Sequence, residues 1–432
     1  MKKIIPVIIA SLIVVVSLFG CAQDSGNTDM TVMRKTYIFV MNTDARLTVY
    51  DYFVENGENN DELIRKFNGL CEETGNLIYE LENYMSVNIQ TSDISRFNTA
   101  SAGEKVEISD HTYSVLNTAK YVYGLTEGYY NPAVYYSLSS YGFNGAAEMP
   151  PQSVEELPSD EEIAKYVELS SHFDELELIA SDGRYYAVKP AFTVTLNGQT
   201  LSMQIDLGGV AKGYAVDRVN ALMAEYGFEY GNFDFGLSSI AFRKYPDDDL
   251  SMVLQLSSPR RSSPSDPVAY VSTTVKDVCV SSSADTENYF LLDTDGDGVE
   301  ERFCHVFDPT TGRPVQTGVM SATVIGGSAA ENDAFTTAIM AMGANKAQKF
   351  IEEKLTDRRV VFAFSYGEKL NMYTNMKKNE YVVLDKRYLG ENSLSAADIA
   401  AIVIACGIFG ALTVCFVIRK KTKNASGNRN VS

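Results

Sequence analysis

The chain has 432 residues, of which 45% are hydrophobic and 22% charged, a balance that excludes a disordered or fibrous protein. Aspartate and glutamate number 56 against 37 lysine and arginine residues, so the net charge is −19 at pH 7. This acidity excludes a protein that tracks nucleic-acid phosphates. Any phosphate site must therefore depend on a metal ion or on local donors.

The N-terminus has the layout of an exported lipoprotein. Two lysines precede an uncharged apolar run over residues 4–19, which is typical of a secretory signal. The run ends in Leu-Phe-Gly-Cys, which resembles a bacterial lipobox with Cys21 as the lipidated residue. The sequence therefore predicts a lipoprotein signal peptide over residues 1–21 and a polar tether over 22–35, with an uncleaved anchor as the alternative.

The C-terminus carries a second membrane signal. Residues 399–418 are uncharged, and three basic residues follow them directly. This pattern predicts a transmembrane helix over 396–418 and a basic cytoplasmic tail over 419–432. A buried core helix is the alternative. With both ends at the cell membrane, we expect the acidic body to lie on the extracytoplasmic face.

Between these ends, hydrophobic periodicity predicts both helices and strands, the pattern of an α+β fold. Helices are predicted over residues 61–81, 111–125, 160–169, 218–226 and 332–355. Strands are predicted over residues 36–50, in several pieces of 175–205, and over 359–364 and 371–384.

Glycines cluster in the segment Asp206–Asp217 (DLGGVAKGYAVD), between a strand-like run and a helical pattern. Backbone N–H groups at such a strand-to-helix turn can approach a phosphate, and Lys212 adds positive charge. The segment matches neither the P-loop nor the GxGxxG fingerprint. A tight turn with a solvated lysine is therefore an equal alternative.

His305 is one of three histidines and precedes a turn rich in proline and glycine (DPTTGRP). An imidazole held by a rigid turn can transfer a proton near neutral pH. A structural histidine is the alternative, and on this residue alone it is the commoner one.

Asp333 and Thr337 lie four residues apart at a predicted helix start. They share one helical face, so a carboxylate and a hydroxyl could together ligate a hard cation. The alternative is an N-terminal cap, with Asp333 favoured by the helix dipole.

An acidic stretch, Asp293–Gly298 (DTDGDG), resembles the first half of a calcium-binding loop. An EF-hand needs an acidic residue at its twelfth position, where Cys304 stands. We therefore predict a hairpin turn between two strands.

Three segments, in this order, resemble the ApbE family of FAD:protein FMN transferases: DLGGVAKGYAVD from Asp206, HVFDPTTGRPV from His305 and NDAFTTAIMAMG from Asn332. The stretch Ser92–Asn98 adds to the resemblance, which predicts a family domain over residues 36–390. It implies an α+β fold, with a two-lobed α/β body and a flavin cleft between the lobes.

The resemblance also implies an activity. It predicts a Mg²⁺-dependent enzyme that takes FAD as substrate and transfers the FMN moiety to a threonine hydroxyl of an acceptor protein, releasing AMP. The implied metal ligands are Asp333, Thr337 and the backbone carbonyl of Gly209. His305 is the candidate for orienting or deprotonating the threonine, and Lys212 would offset phosphate charge.

The family pattern further implies residues that bind the flavin nucleotide. These are Met41, Tyr129, Tyr130, Asn131, Asp206 and Phe307.

Other positions depart from the pattern. Asn88 stands where an aromatic residue commonly stacks on FAD, Asn131 ends a stretch that normally ends in aspartate, Thr336 replaces an acidic residue of some members, and Leu237 replaces a frequent glycine.

Members of this family are commonly exported lipoproteins, so the resemblance implies an exported acceptor. An FMN-binding domain of an Rnf-like or Nqr-like subunit, or another flavin-carrying lipoprotein, fits this description.

Two alternatives to the transferase activity share the same motifs. One is an FAD pyrophosphatase that releases FMN and AMP, and the other is a non-catalytic FAD-binding lipoprotein.

Overall fold

A computed structural model describes residues 30–388, apart from 53–57, 146–148, 245–250, 261–266, 275–276 and 368. The predicted signal peptide with Cys21, the predicted transmembrane helix and the basic tail lie outside the described residues. Within those residues, no helix combines the length and the hydropathy needed to cross a membrane.

Seven α-helices and three short 3₁₀ turns form in the described part of the chain. The α-helices are α1 (Glu58–Met85), α2 (Asp93–Thr99), α3 (Asp110–Leu125), α4 (Tyr135–Ser140), α5 (Asp160–Ser170), α6 (Ala211–Glu225) and α7 (Ala329–Lys354). The 3₁₀ turns are Val154–Glu156, Phe173–Glu175 and Lys386–Tyr388.

Twenty strands, numbered in chain order, form in the same described ranges. They are β1 (Met30–Val40), β2 (Thr43–Tyr52), β3 (Lys105–Ile108), β4 (Glu177–Ser181), β5 (Arg184–Val188), β6 (Thr193–Leu196), β7 (Gln199–Ser202), β8 (Tyr230–Phe235), β9 (Ser239–Phe242), β10 (Ser251–Ser257), β11 (Pro267–Thr274), β12 (Val278–Ala284), β13 (Tyr289–Leu292), β14 (Glu301–Cys304), β15 (Phe307–Asp308), β16 (Arg313–Pro314), β17 (Val319–Ile325), β18 (Arg359–Tyr366), β19 (Lys369–Thr374) and β20 (Tyr381–Val383).

Eight of these strands form the main sheet, in the order β1-β2-β8-β9-β12-β17-β18-β19. Every neighbouring pair in it is antiparallel. Because β2 pairs with β8 in the register Ala45↔Phe235, the β1–β2 turn and the β8–β9 turn lie side by side at one edge of the sheet. This edge frames the candidate site.

The first hairpin corrects one predicted boundary. The polar tether was expected to reach residue 35, whereas β1 already begins at Met30. Side chains from residue 31 to Tyr37 alternate between exposed and covered positions, and this two-residue period lets residues 30–35 pair with β2. The predicted strands over 36–50 are confirmed as the remainder of this hairpin.

Helices and a second sheet cover the two faces of the main sheet. Helices α6 and α7 pack on one face, and α1 and α3 pack against these helices. The smaller sheet β10-β11-β20 covers the other face, where its Leu256 and Val271 share a buried cluster with Val280, Ile325 and Val361 of the main sheet. The mixed α/β fold confirms the predicted α+β class.

All five helices predicted for the body form, and local caps set the starts of two of them. Helix α5 starts with a capping box in which the Ser159 hydroxyl and the Glu162 carboxylate bond reciprocally to backbone N–H groups. Helix α7 starts at Ala329, before the predicted start, because the Ser328 hydroxyl accepts the Glu331 N–H and caps the helix there.

The predicted hairpin turns also form. The β4–β5 and β6–β7 turns place Asp182 and Asn197, each followed by glycine, at positive φ. The acidic stretch Asp293–Gly298 joins β13 to β14, as predicted. Its three aspartates bring carboxylate oxygens within 4.8 Å of one another on the surface.

Candidate active site

One cavity of about 570 Å³ lies where the β1–β2 and β8–β9 turns meet the N-terminal parts of α6 and α7. All eleven site residues that the sequence predicts within the body line this cavity. They are Met41, Tyr129, Tyr130, Asn131, Asp206, Gly209, Lys212, His305, Phe307, Asp333 and Thr337. The fold therefore brings together side chains that are almost 300 residues apart in sequence.

The segment that enters the glycine-rich turn is held by α2. Asn98 donates from its amide to the Ile205 carbonyl at 2.9 Å and accepts the Ile205 N–H at 2.8 Å. The buried Lys189 ammonium donates to the carbonyls of Phe97, Asn98 and Ala100, which fixes the end of α2, and burial lowers its pKa to about 8. The Ser92–Asn98 stretch thus positions Asp206 from outside the cavity.

Asp206 closes the turn ahead of α6. Its Oδ1 accepts the Gly208 N–H at 2.7 Å, and its own N–H donates to the Pro132 carbonyl at 2.8 Å. Burial raises the pKa of this carboxyl, while the Gly208 N–H and the Lys212 charge act in the opposite direction. Asp206 therefore shapes the loop that places Gly208 and Gly209 on the cavity wall.

Gly213 has a different role from the predicted one. It lies inside α6, not in the turn, and a Cβ there would lie 2.2 Å from the Ala329 carbonyl oxygen. Glycine at this position lets α6 and α7 cross in direct contact. The close approach also lets the Gly213 N–H donate to Asp333 Oδ2 at 3.1 Å.

Asp217, which the sequence analysis assigned no role, fixes the start of α7. Its carboxylate accepts from the Ser328 hydroxyl at 2.6 Å and from the Ala329 and Ala330 N–H groups at 2.8 and 3.0 Å. The two N–H groups are donors that a helix N-terminus leaves unsatisfied. Asp217 therefore orients the helix that carries Asp333, and no local sequence pattern signals this bond across more than 100 residues.

The predicted metal ligands meet at this crossing. The Asp333 side chain is buried, and no described lysine or arginine forms an ion pair with it. Burial raises its pKa, while Lys212 and the Gly213 N–H act in the opposite direction. A Cβ at Gly209 would lie 3.4 Å from Thr337 Oγ1, so the Gly209 backbone and Thr337 are close neighbours.

A buried hydroxyl beside these groups has no hydrogen-bond partner among the described residues. The Tyr130 side chain is 3% exposed, and its hydroxyl makes no hydrogen bond to any described residue. Burial raises its pKa far above the usual value, and the negative charges of Asp333 and Asp206 add to this effect. An orphaned hydroxyl beside a buried carboxylate without an ion pair fits a site that holds a hydrated cation and an anionic ligand.

His305 lies across the cavity with one nitrogen already engaged. Its Nδ1 lies 3.2 Å from the Asn288 carbonyl oxygen, which also accepts the His305 backbone N–H at 3.0 Å. A carbonyl only accepts, so Nδ1 carries the proton and Nε2 is left as an acceptor. Burial and the Lys212 charge lower the pKa of the imidazole to about 4. The ring is therefore neutral at pH 7.

The wall beyond His305 is aromatic. Phe307 begins the short β15 strand, and its buried ring packs at right angles to Tyr141 and Phe143, with centroids 5.5 and 5.9 Å away. The turn after it closes when the Asp308 carboxylate accepts the Thr310 N–H at 2.9 Å. The ring of Phe307 thus belongs to an aromatic cluster.

Tyr129 and Asn131 are partly committed to protein contacts. The Lys346 ammonium donates to the Tyr129 hydroxyl and lies 4.9 Å from the ring centroid. The buried Asn131 amide donates to the Ser170 carbonyl and accepts the Ala133 N–H, both at 2.9 Å. Asn131 therefore holds the loop that lines the cavity, and its predicted contact with the flavin nucleotide stays a prediction.

Met41 enters the cavity from the β1–β2 turn. Met41 and Asn42 have φ values of 44° and 62°, the backbone of a two-residue type I′ hairpin turn. Glu82 of α1, which the sequence analysis did not single out, accepts the Met41 N–H at 3.2 Å. Asparagine tolerates a positive φ, so Asn42 is the residue by which the sequence could have indicated this turn.

The positions that depart from the family pattern lie around the cavity. Thr336 is buried and shares a 2.8 Å hydrogen bond with Ser283, a cavity residue. Asn88 lies next to Gly145 and does not line the cavity. Leu237 lies on the β8–β9 turn between Gly236 and Ser238, which do line it.

A buried carboxylate, a lysine and a histidine in one large cavity form the side-chain set that enzymes use on phosphate-bearing substrates. Residues 41–362 match the model of the ApbE family, so the chain belongs to this family. The resemblance seen in the sequence is thereby confirmed.

Named relatives agree with this assignment. An FAD:protein FMN transferase of Vibrio cholerae is 28% identical over 290 residues, which cover 66% of this chain and 76% of the relative. An FAD:protein FMN transferase of Treponema pallidum is 26% identical over 291 residues, which cover 65% and 74%.

Solved structures share the fold. The flavin transferase ApbE of Vibrio cholerae superposes with a TM-score of 0.60 at 22% identity, over 82% of this chain and 100% of that structure. The ApbE protein of Thermotoga maritima gives a TM-score of 0.59 at 24% identity, over 78% and 94%.

Proposed function

We propose that this protein is an FAD:protein FMN transferase, which transfers the FMN moiety of FAD to a threonine hydroxyl of an exported acceptor protein and releases AMP. The observation that carries the proposal is the single cavity in which Asp333, Thr337, Lys212 and His305 meet, in a chain of the ApbE family. The names of the relatives point to transfer of FMN from FAD to a protein.

In the proposed reaction, the threonine Oγ forms a bond to the phosphorus on the FMN side of the pyrophosphate. The bond from this phosphorus to the bridging oxygen breaks, and AMP leaves. The hydroxyl proton passes to Nε2 of His305, because Nδ1 already donates to the Asn288 carbonyl. The negative charge of a bound pyrophosphate would oppose the two causes that lower the pKa of His305, and so would make it a stronger base.

Lys212 supports the same step through its charge. It lies in the first turn of α6, shortly after Gly208 and Gly209, and all three residues line the cavity. A lysine and a helix N-terminus together favour an anionic ligand in a protein that is otherwise strongly acidic. We expect Lys212 to bind the pyrophosphate rather than to move a proton.

Asp333, Thr337 and the Gly209 carbonyl would hold the Mg²⁺ ion. When bound, the ion would supply positive charge to the pyrophosphate oxygens as their negative charge develops. Support comes from the buried Asp333 carboxylate, which forms no ion pair with a described lysine or arginine, and from the Tyr130 hydroxyl, which has no hydrogen-bond partner among the described residues. Gly213 and Asp217 would act as positioning residues, since one brings α6 against α7 and the other fixes the start of α7.

The test incubates the protein with FAD, Mg²⁺ and an exported FMN-binding domain that carries a threonine acceptor. Fluorescence of the acceptor on a denaturing gel and its mass are measured with and without EDTA. We expect a fluorescent acceptor, heavier by one FMN, that is lost in EDTA. Free FMN and AMP without labelled acceptor would instead identify a pyrophosphatase, and intact FAD would identify a binding protein.

The cellular placement is a proposal as well. We propose that Cys21 is lipidated, that residues 396–418 span the cell membrane, and that the catalytic body faces the extracytoplasmic side. The support is the lipobox-like sequence and the uncharged run before three basic residues. Incorporation of a labelled fatty acid should disappear in Cys21→Ala, and continued labelling of that variant would contradict the anchor.

A further inference from the structure

The end of β1 and the β8–β9 turn, which adjoin residues that line the cavity, present large apolar side chains to solvent. Ile38 and Phe39, at the end of β1, are 60% and 82% exposed, and Leu237, on the β8–β9 turn, is 77% exposed. We call Ile38, Phe39 and Leu237 the apolar rim. Burying these side chains would be favourable, so their exposure calls for a reason other than folding.

The backbone beneath the apolar rim is strained. Phe39 and Leu237 have φ values of 55° and 57°, in the left-handed region that bulky side chains rarely adopt. Each is held there by an aspartate, because Asp44 Oδ1 accepts the Phe39 N–H at 3.2 Å and Asp234 Oδ1 accepts the Leu237 N–H at 2.8 Å. Glycine would remove the strain at either position.

The two turns form one surface. The Gly236 N–H donates to the Asp44 carbonyl at 2.9 Å, and the Asp44 side chain accepts the Phe39 N–H, so Asp44 links the two strained segments directly. Residues of both turns, Met41 to Thr43 on one side and Gly236 and Ser238 on the other, line the catalytic cavity. A protein segment that enters the cavity over these two turns passes beside the apolar rim.

A second cavity continues from the first on the far side of Leu237. It has a volume of about 330 Å³ and lies between the main sheet and the β10–β11 strands. The two cavities share the residues Gly236, Ser238, Ser282, Ser283, Ala284 and Glu287, and Leu237 lies on the wall of the second alone. Small hydroxyl side chains along this wall leave room for an extended segment of another chain.

We propose that the apolar rim is the docking surface for the acceptor protein, and that Phe39 and Leu237 contact apolar residues around its threonine-bearing segment. This inference rests on the proposed transferase function. A strained and exposed leucine at a glycine-compatible turn is the kind of local cost that persists at functional sites. A lipid bilayer is the less suitable occupant, because a mouth buried in lipid could not admit a protein segment.

The experiment measures binding of the acceptor separately from catalysis. The probe is an Rnf-type exported FMN-binding domain with alanine in place of its flavin-accepting threonine, so that binding is observed without turnover. Leu237→Gly and Phe39→Ser are compared with Val299→Ser, a control that removes a 63% exposed apolar side chain from the β13–β14 turn. The Kd for FAD is measured for each variant, as is binding to phosphatidylcholine and phosphatidylglycerol vesicles.

We expect each rim variant to weaken acceptor binding about tenfold, with an unchanged Kd for FAD, while the control binds like the wild type. Unchanged acceptor binding in both rim variants would overturn the inference. So would a weakened Kd for FAD, which would assign the rim to the flavin site, or a loss of vesicle binding alone, which would assign it to the membrane. Leu237→Gly relieves strain, so misfolding does not account for its loss of binding.

The outcomes for the two proposals differ. If the wild type binds the probe through the rim but labels no threonine-bearing acceptor, the transferase proposal fails and the docking surface stands. If the wild type labels an acceptor whose binding ignores the rim, the docking inference fails alone.

Discussion

The two ends of the cavity are built in opposite ways. At the α6–α7 crossing, backbones touch, the Asp217 carboxylate accepts the Ser328 hydroxyl and two backbone N–H groups of α7, and Asp333 is buried. At the apolar rim, large side chains are exposed and the backbone is strained. The comparison suggests that one end fixes the geometry of charges for chemistry, while the other is shaped by a partner outside the chain.

The largest effect should come from the crossing itself. Asp333→Asn removes the carboxylate that would bind Mg²⁺, and we expect the rate of acceptor labelling to fall by about 10³ or more. Asp295→Asn, on the exposed β13–β14 turn, is the matched control and should retain wild-type labelling. Activity of Asp333→Asn within a few fold of the wild type would contradict the assignment of Asp333 as a Mg²⁺ ligand.

A somewhat smaller loss should follow from removal of the candidate base. In His305→Ala we expect labelling to fall by about 10², with the Kd for FAD largely retained, because Nε2 acts on the threonine and not on FAD. His172→Ala is the control, since that ring stacks on Phe192 outside the cavity. Equal losses in the two variants would indicate a structural histidine at 305.

The close approach of the two helices makes a prediction about stability. Gly213→Ala places a methyl group against the Ala329 carbonyl, and we expect it to lower the free energy of unfolding by about 2–4 kcal/mol. In Gly124→Ala, a glycine of α3 with open space around it, we expect a gain of up to about 1 kcal/mol. Thermal unfolding of both variants measures the difference, and equal stabilities would contradict the packing role of Gly213.

Charge coupling across the cavity can be read from the imidazole. The ring of His305 should titrate with a pKa of about 4 in the FAD-free protein, so it gains its second proton, and with it a positive charge, only in acid. In Lys212→Met this pKa should rise toward the usual histidine value, because one of the two causes of its depression is absent. Proton NMR of the ring measures the pKa in the wild type and in the variant. An unchanged pKa would mean that the Lys212 charge does not act on His305.

The smallest effect is expected at the rim. Leu237→Gly removes the left-handed backbone strain, which stabilises the folded state, but it also gives the unfolded chain more conformational freedom. Because these two effects oppose each other, the free energy of unfolding should stay equal or rise by about 1 kcal/mol at most. Chemical denaturation measures it. A clear loss of stability would mean that Leu237 supports the fold, and the contrast between the two ends of the cavity would weaken.

Local patterns in the sequence predicted much of this architecture. The four-residue spacing of Asp333 and Thr337 predicted a shared helical face, and both line the cavity. The Asp182-Gly183 and Asn197-Gly198 pairs predicted hairpin turns, which form. These features depend on residues within one or two turns of chain, which is the range over which periodicity carries information.

Contacts between distant segments could not be predicted in this way. Asn98 holds Ile205 across 107 residues, and Asp217 caps a helix that starts more than 100 residues later. The strand boundary at Met30 depended on pairing with β2 rather than on local polarity. Gly213 was read as part of a turn because a sequence does not reveal which helix will press against it.

The most direct test of the account is a crystal structure with FAD and Mn²⁺ in place of Mg²⁺, in which anomalous scattering locates the ion. We predict an ion about 2.1 Å from an Asp333 carboxylate oxygen and from Thr337 Oγ1, beside the FAD pyrophosphate. Bound FAD with an ion only among Asp293, Asp295 and Asp297 would contradict the assignment of the site.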